Sequence, residues 1–367
     1  MEYNDFKEYL KTKMADRFPD SEVDIVSVVK NNDTVLEGLS IKNENSNITP
    51  NIYINQFYED YENGRSMADI VDTIADIRIQ HDVADNFDVF KVFDWGEAKN
   101  HITCKLINAQ ENQQYIADKP FTPMEDLAVT YHILMGSNEH GSGTIAIHNG
   151  IMERFGVDVE TLHQTALANM ETLMPAKFTN MQAVMEEMML PNIMNDYGIN
   201  EEEAREMLHA DMPEGAVPMY VLTNESKVNG AACILNQNTM EQIKEQLGGD
   251  FYVLPSSIHE TLIIPKTEGS DYRELEAMVQ EVNATQVEPE ERLSDHVYEY
   301  DANAHELMRS DTALEKKAML DLSQGKGEKA EERKSLKEKL EEKRAVATSI
   351  KPESPNGKTK QLASGLE

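Results

Sequence analysis

The chain has 367 residues, 40% of them hydrophobic and 7% aromatic, enough apolar side chain for real cores in two domains or in one domain with appendages. Its formal net charge is −33; from residue 301 on, 14 Lys and Arg balance 13 Asp and Glu, so residues 1–300 hold 20 basic against 54 acidic side chains. A body of that sign repels a phosphate backbone, and direct nucleic-acid binding is not expected. Cys104 and Cys233 stand far apart and outside any CxxC pattern, which argues against a disulfide scaffold or a thiolate zinc site and fits a reducing cytoplasm. The N-terminus lacks an apolar signal region, and no apolar run reaches the roughly 18–20 residues of a membrane span.

In chain order, Phe6, Tyr9, Leu10 and Met14 recur at three- and four-residue spacing and predict a helix over 2–17. Glu22–Lys30 and Thr34–Ile41 alternate as two strands of a hairpin around the turn Asn31-Asn32-Asp33. The polar run KNENSN leads to an extended segment near Asn51–Ile54. Helices follow at Gln56–Glu62 and Ser66–His81, with Ser66-x-x-Asp69 as a capping box. Phe87–Trp95 reads as a helix turning at Gly96, its aromatics in the core. Ile102–Ile107 and Asp126–Met135 read as strands, the second central by its apolar density. A loop Gly136–Gly143 precedes a short strand Thr144–Ile147.

From Gly150 to about Ala210 the pattern is helical. Asp158 caps a helix carrying Leu162, Ala166 and Leu167; Asn180–Leu190 carries Met181, Val184, Met185 and Met188; and Asn200 caps Glu201–His209. Of the 20 methionines, 11 lie between Met152 and Met219, as a loosely specified helical core or as a soft surface for partners. Tyr220–Thr223 and Gly230–Leu235 then read as strands, Asn238 as the cap of a helix stopped by Gly248-Gly249, and Phe251–Leu254 and Thr261–Ile264 as strands, giving a ββαββ module over residues 218–265. A helix at Asp271–Asn283 and a strand at His296–Tyr300 close the folded part. Ala313–Leu322 reads as a short helix, Lys329–Val346 as a charged helix and Ser349–Glu367 as a disordered tail. The whole predicts an α+β protein of mostly antiparallel sheets with packed helices. It divides into an N-terminal α+β domain (1–150), a Met-rich helical segment (151–212), a C-terminal α+β module (213–302) and a flexible charged tail (303–367).

Chemistry-bearing residue types crowd together in one place, the elbow Ser256-Ser257-Ile258-His259-Glu260 between the last two strands of the module. Ser256, Ser257, His259 and Glu260 are the candidate binding residues. A nucleophilic serine needs a base in reach and the base an orienting group, but this is neither a G-x-S-x-G elbow nor HExxH. Ligand-type residues also recur at His101, Cys104, His132, His140 and His148, without any recognised metal spacing; no metal and no cofactor are assigned.

The blocks NGAACIL and DFYVLPSSIHETLIIP, preceded by DLAVTYHIL and followed by LSDHVYEYD, resemble an uncharacterised bacterial family, domain-of-unknown-function family 5688, met mainly in gut Firmicutes and often in mobile-element neighbourhoods. The resemblance covers roughly residues 1–305. It implies a cytoplasmic bacterial origin and an α+β fold, and transfers no catalytic role to any residue.

Three functional expectations follow. The first is a non-enzymatic cytoplasmic accessory protein that binds a protein partner. The second is a hydrolase or small-ligand enzyme using Ser257, His259 and Glu260. The third is an acidic nucleic-acid mimic.

Overall fold

The computed structural model describes residues 1–43, 51–80, 93–138, 141–210 and 217–323. Residues 1–310 form one compact unit, and 311–367 a second. The expected helix at Lys329–Val346 and the tail lie outside the described residues, as do residues 44–47 of the KNENSN run, Phe87, Phe90 and His140.

In the first unit, α1 (Tyr3–Arg17) buries one row of side chains at four-residue spacing, Phe6, Leu10 and Met14. Tyr9, expected on that stripe, lies off the row and is exposed. The row packs on a sheet in which β1 (Ser21–Val29) and β2 (Val35–Asn43) pair antiparallel from Ser21↔Asn43 to Val29↔Val35, with β3 (Asn51–Tyr53) on the far side of β2. Helices α2 (Asn55–Glu62) and α3 (Met67–Gln80) complete this core, Ile70 and Ile74 meeting Leu39, Ile41, Ile52 and Ile54. Ser66 caps α3 as expected, its Oγ accepting the Asp69 N–H at 3.1 Å, while Asp69 answers through the Ser66 hydroxyl, Oγ donating to Oδ2 at 2.7 Å.

A short helix α4 (Trp95–Ala98) precedes the second sheet, so Gly96 sits inside a helix rather than at its turn. Asp94 makes the difference, since its side chain accepts the Glu97 N–H and starts the helix one residue before Trp95. In this sheet β6 (Leu127–Asn138) pairs along one edge with β4 (Ile102–Asn108) and along the other with β5 (Phe121–Met124) and then β7 (Gly141–Ala146). Helix α5 (Gln113–Ile116) lies between β4 and β5. Helices α6 (Asn149–Phe155) and α7 (Val159–Leu173) follow, Asp158 capping α7 by accepting the Thr161 N–H at 2.8 Å.

The third sheet runs β13-β12-β10-β11-β9-β8, antiparallel throughout: β8 (Ala176–Asn180), β9 (Tyr220–Asn224), β10 (Phe251–Leu254), β11 (Thr261–Pro265), β12 (Tyr298–Asp301) and β13 (Glu306–Arg309). Phe251, Val253 and Ile263 on one face join Cys104, Leu106, Tyr131 and α7 in the main core. Tyr252, Leu254 and Ile264 on the other pack on α11 (Tyr272–Thr285). Burial on both faces is why FYVL is apolar at every position instead of alternating. Cys104 and Cys233 are free thiols inside the main core, both pushed up to about 12 by burial.

The α+β class stands, with local corrections, one being that the expected loop Gly136–Gly143 is strand at both ends, β6 running to Asn138 and β7 starting at Gly141. Gly230–Leu235, expected as a strand, is a 3-10 helix, so the module reads β, 3-10, α, β, β and not ββαββ. Asn229 enters it at φ 53, and a Cβ built on Gly230 would lie 2.2 Å from Thr223 Oγ1 and 2.5 Å from the His259 carbonyl oxygen. The chain passes so close beneath β9 and the elbow that it coils with Gly230–Ile234 all buried, and an uninterrupted apolar run does not distinguish strand from helix by period. The helix that follows, α10 (Gln237–Leu247), is capped by Asn236, which accepts the Thr239 N–H, and not by Asn238. Helix α8 (Met181–Tyr197) runs on through Pro191, seven residues past its expected end, before α9 (Glu201–Ala210). Of its expected stripe, Met181, Val184 and Met185 are half-buried and Met188 is 67% exposed, while its fully buried residue is Leu190, packed on Ala204 and Leu208. In the second unit the described residues are helical, within α12 (Ser310–Ser323).

The close approach at Gly230 is testable. Gly230→Ala is expected to lower stability by about 1–3 kcal/mol through overpacking, read as a lower urea midpoint at unchanged slope. An unchanged midpoint would mean that the Thr223–His259 contact gives way without cost.

Candidate functional site

The elbow is built by backbone hydrogen bonds to three other segments. Ser256 N–H returns to Leu254 O at 3.1 Å, the Ile258 carbonyl accepts the Ala231 N–H at 3.2 Å, and the Ile258 N–H donates to Glu291 O at 2.8 Å. Thr223 Oγ1 donates to His259 O at 2.7 Å. The His259 imidazole has a partner at each ring nitrogen. Its Nδ1 accepts the Asn229 N–H at 3.2 Å, which places the ring hydrogen of the neutral form on Nε2, and Nε2 lies 3.5 Å from Glu291 Oε1.

The serines do not join this pair. Ser257 Oγ accepts the His259 backbone N–H at 3.0 Å, a local turn bond that directs the hydroxyl to the main chain and away from the ring. Ser256 is half-buried at the entry of the turn, and Glu260 is exposed. Glu291, 32 positions after His259 and invisible as a partner in the sequence, takes the place expected of Glu260. The elbow thus presents one oriented imidazole with a carboxylate, without a nucleophile–base pair among the described residues.

His259 stands at one end of a cleft of about 570 Å³. One wall is the end of the β1–β2 hairpin, with Val28, Lys30, Asn31 and Leu36, beside Tyr53. The facing wall is the outer face of the second sheet. Register fixes that face: Lys105 opposes Thr130 and Thr103 opposes His132, while Cys104, Leu106, Val129 and Tyr131 turn the other way into the main core. The sheet therefore carries a polar row of Thr103, Lys105, Thr130 and His132 on the cleft side of an apolar layer.

Electrostatics single out the two lysines. The half-buried Lys105 ammonium has no ion pair or hydrogen bond among the described residues, and burial followed by the nearby Lys30 charge pulls its pKa down to about 8. Lys30 Nζ sits 4.3 Å over the Tyr53 ring. His132, 2% exposed, is held neutral, well below its ordinary range, by burial and then by Lys105 and Lys119; its Nε2 lies 3.2 Å from Thr130 Oγ1. Tyr115, between the walls, is pushed up to about 12 by burial and then by Asp118.

The cleft is closed by the turn Asn31-Asn32-Asp33. Asn31 Nδ2 donates to Glu290 O at 2.8 Å, and Asn32 Nδ2 donates to Pro289 O at 2.7 Å and Arg292 O at 2.8 Å. Asp33 caps α5 by accepting the N–H groups of Gln114 and Tyr115 at 2.8 and 2.9 Å. The side-chain amide oxygen of Asn31, Oδ1, is buried without a hydrogen-bond partner among the described residues.

A second cavity, of about 440 Å³, lies beyond the same loop. Of its acidic lining residues, Asp126 is bonded by Ser294 at 2.6 Å and Tyr298 at 2.5 Å. The histidines and cysteine weighed as ligands are dispersed: Cys104 faces the core, His132 the cleft, and His101 and His148 are exposed. Among the described residues no group of three or more His, Cys, Asp or Glu is placed to hold a metal ion. No described helix is long and apolar enough to cross a membrane.

The model of a family of unknown function, DUF5688, matches residues 3–302. The chain belongs to that family. The match spans the resemblance read over residues 1–305 and takes in the elbow and both walls of the cleft. No curated protein and no solved structure matches the chain.

Sequence reasoning reached His259 but not Lys30, Tyr53, Lys105, Tyr115 or Glu291. The signal for one of them was present: ITCKLI carries one cation in an otherwise uncharged, largely apolar strand.

His132 makes a pH test. Its folded-state pKa lies below its unfolded value, so protons bind the unfolded chain preferentially, and stability falls as pH drops below about 6.5 with a slope of up to about 1.4 kcal/mol per pH unit. His132→Gln is expected to remove that slope from the urea stability measured between neutral and mildly acid pH. Parallel curves for the two proteins would show that His132 is not the titrating group.

Proposed function

We propose that the first unit binds a small anionic ligand in the cleft between the hairpin and the second sheet. Lys105 carries this reading. An unpaired cation with little water costs free energy, and it stands in a body with 54 acidic side chains, where a partner carboxylate would have been easy to supply. A ligand anion is the partner that completes it. Lys30 adds a second positive charge, the Asn229–His259–Glu291 arrangement orients a hydrogen-bond donor at one end, and Tyr53, Leu36 and Ile107 offer apolar contact to the rest of a ligand. This is the small-ligand expectation with its charge supplied by lysines in place of the serines and Glu260. The cytoplasm suits it as the compartment of small anionic metabolites.

The test is a thermal-unfolding screen against phosphate, dicarboxylates, oxo acids and mononucleotides. A true ligand at 100 times its Kd stabilises by about 2.7 kcal/mol, and Lys30→Gln and Lys105→Gln are expected to abolish that shift. Lys105→Met is expected to raise the stability of the free protein by about 1 kcal/mol, because an apolar side chain replaces an unpaired charge. Absence of any anion-dependent shift, together with an Lys105→Met protein no more stable than the parent, would remove the reading.

A second reading rests on another surface. Met188, Met189 and Tyr197 on α8 and Met207 on α9 are exposed, soft apolar groups of the kind that pack on protein partners. It keeps the accessory-protein expectation. Met188→Lys with Met207→Lys should leave the thermal midpoint unchanged and abolish any partner complex that the unaltered chain forms.

A further inference from the structure

We propose that Lys105 is a nucleophilic amine that condenses with the carbonyl group of an anionic aldehyde or oxo acid held in the cleft, forming a reversible imine. The proposal rests on the reading of the cleft as an anion site and adds the chemistry done there.

Four observations carry it. Lys105 is placed by strand register on the cleft-facing row of the second sheet, on a backbone fixed by the β4–β6 ladder. Its ammonium has no carboxylate among the described residues to hold the proton on it. Lys30 lines the same cleft, held over Tyr53, so a second cation discourages protonation of Lys105 and remains to pair with the ligand's anionic group. Desolvation combined with a neighbouring cation is the arrangement that makes a lysine amine available as a nucleophile near neutral pH, and the depressed pKa of Lys105 agrees with it. Finally, His132, two residues along β6 from the Thr130 that opposes Lys105, lies on the same face and is held neutral by burial and then by the Lys105 charge, so it offers Lys105 no anion to keep its proton.

The step balances without any further reagent. The lone pair on Lys105 Nζ forms a bond to the carbonyl carbon, and the carbonyl π pair moves to oxygen, which takes a proton. The resulting carbinolamine loses its oxygen as water together with both original amine hydrogens, leaving the C=N bond. No electron is gained or lost, and water reverses the reaction.

The experiment uses the full chain with glyoxylate as the oxo-acid probe, acetaldehyde as the uncharged probe and cyanoborohydride to reduce any imine to a stable secondary amine. Adducts are counted by intact mass and mapped by peptide sequencing. The expected result is one dominant adduct on the peptide holding Lys105, formed from glyoxylate far more than from acetaldehyde, absent in Lys105→Arg and reduced about tenfold in Lys30→Gln, the size of losing one charge-assisted contact. Adducts scattered over surface lysines, or an equal yield from both probes, would overturn it. Site mapping is read on the unaltered chain, so the outcome holds even if a variant fails to fold. Thermal shifts with succinate, an anion without a reactive carbonyl, separate the two levels of the argument. A Lys30-dependent succinate shift with no trapping at Lys105 sinks the imine and keeps the anion site, and loss of both sinks both.

Discussion

Asn31, Asn32 and Asp33 together reach the loop 289–292 and the start of α5, and the cleft depends on these contacts. The turn holds Asn32 and Asp33 at φ 57 and 49, a region that Asn and Asp tolerate better than other side-chain-bearing residues. That backbone aims three short polar side chains outward from one hairpin tip. Asp33 fixes Tyr115; Asn31 and Asn32 fix the segment that carries Glu291. Glu291 O in turn receives the Ile258 N–H, and its carboxylate faces His259. One turn therefore sets both ends of the cleft, and neither end has its geometry from local sequence alone.

The distribution of charge gives the site its character. The acidic excess belongs to residues 1–300, yet Lys30 and Lys105 face the cavity, with the acids Glu290 and Glu291 at its His259 end. At long range the body repels an anion; at contact distance the lysines attract one. Added salt screens the first effect over about a Debye length and the partly desolvated second one much less. Most acidic proteins use their charge for solubility. Here it also makes a weakly hydrated lysine conspicuous, because a carboxylate partner was available almost everywhere else on the chain.

What the sequence made legible was local. The cap residues Ser66, Asp158 and Asn200, the hairpin around Asn31-Asn32-Asp33 and the strands flanking the elbow are each specified by neighbours a few residues away. The Gly230–Leu235 run escaped because its conformation answers to Thr223 and His259, not to its own period. The short strands β5, β8 and β13 escaped because pairing partners, rather than apolar pattern, define them. His259 was legible as chemistry crowded between two strands, whereas its partners Asn229 and Glu291 lie 30 and 32 positions away and meet it only through the loop connections. Lys105 could be read as a cation in a buried strand; that it faces a cavity, and faces it with Lys30, required the packing of one sheet against another.

The Asn31–Glu290 bond joins residues 259 positions apart. A ribosome therefore finishes the hairpin and α1 long before their counterpart on the loop exists. Helix α1, the hairpin and α3 can bury their own core during that interval, so the wait is borne by a preassembled half whose open wall displays Lys30 and Tyr53. Such widely separated contacts form late and slowly, and domains of this size are most exposed to misassembly before they form. The ordering makes the Glu290–Glu291 wall the last part of the cleft to be made: a chain ending at residue 288 would carry Lys30, Lys105 and His259 and lack the segment that ties the hairpin to the elbow.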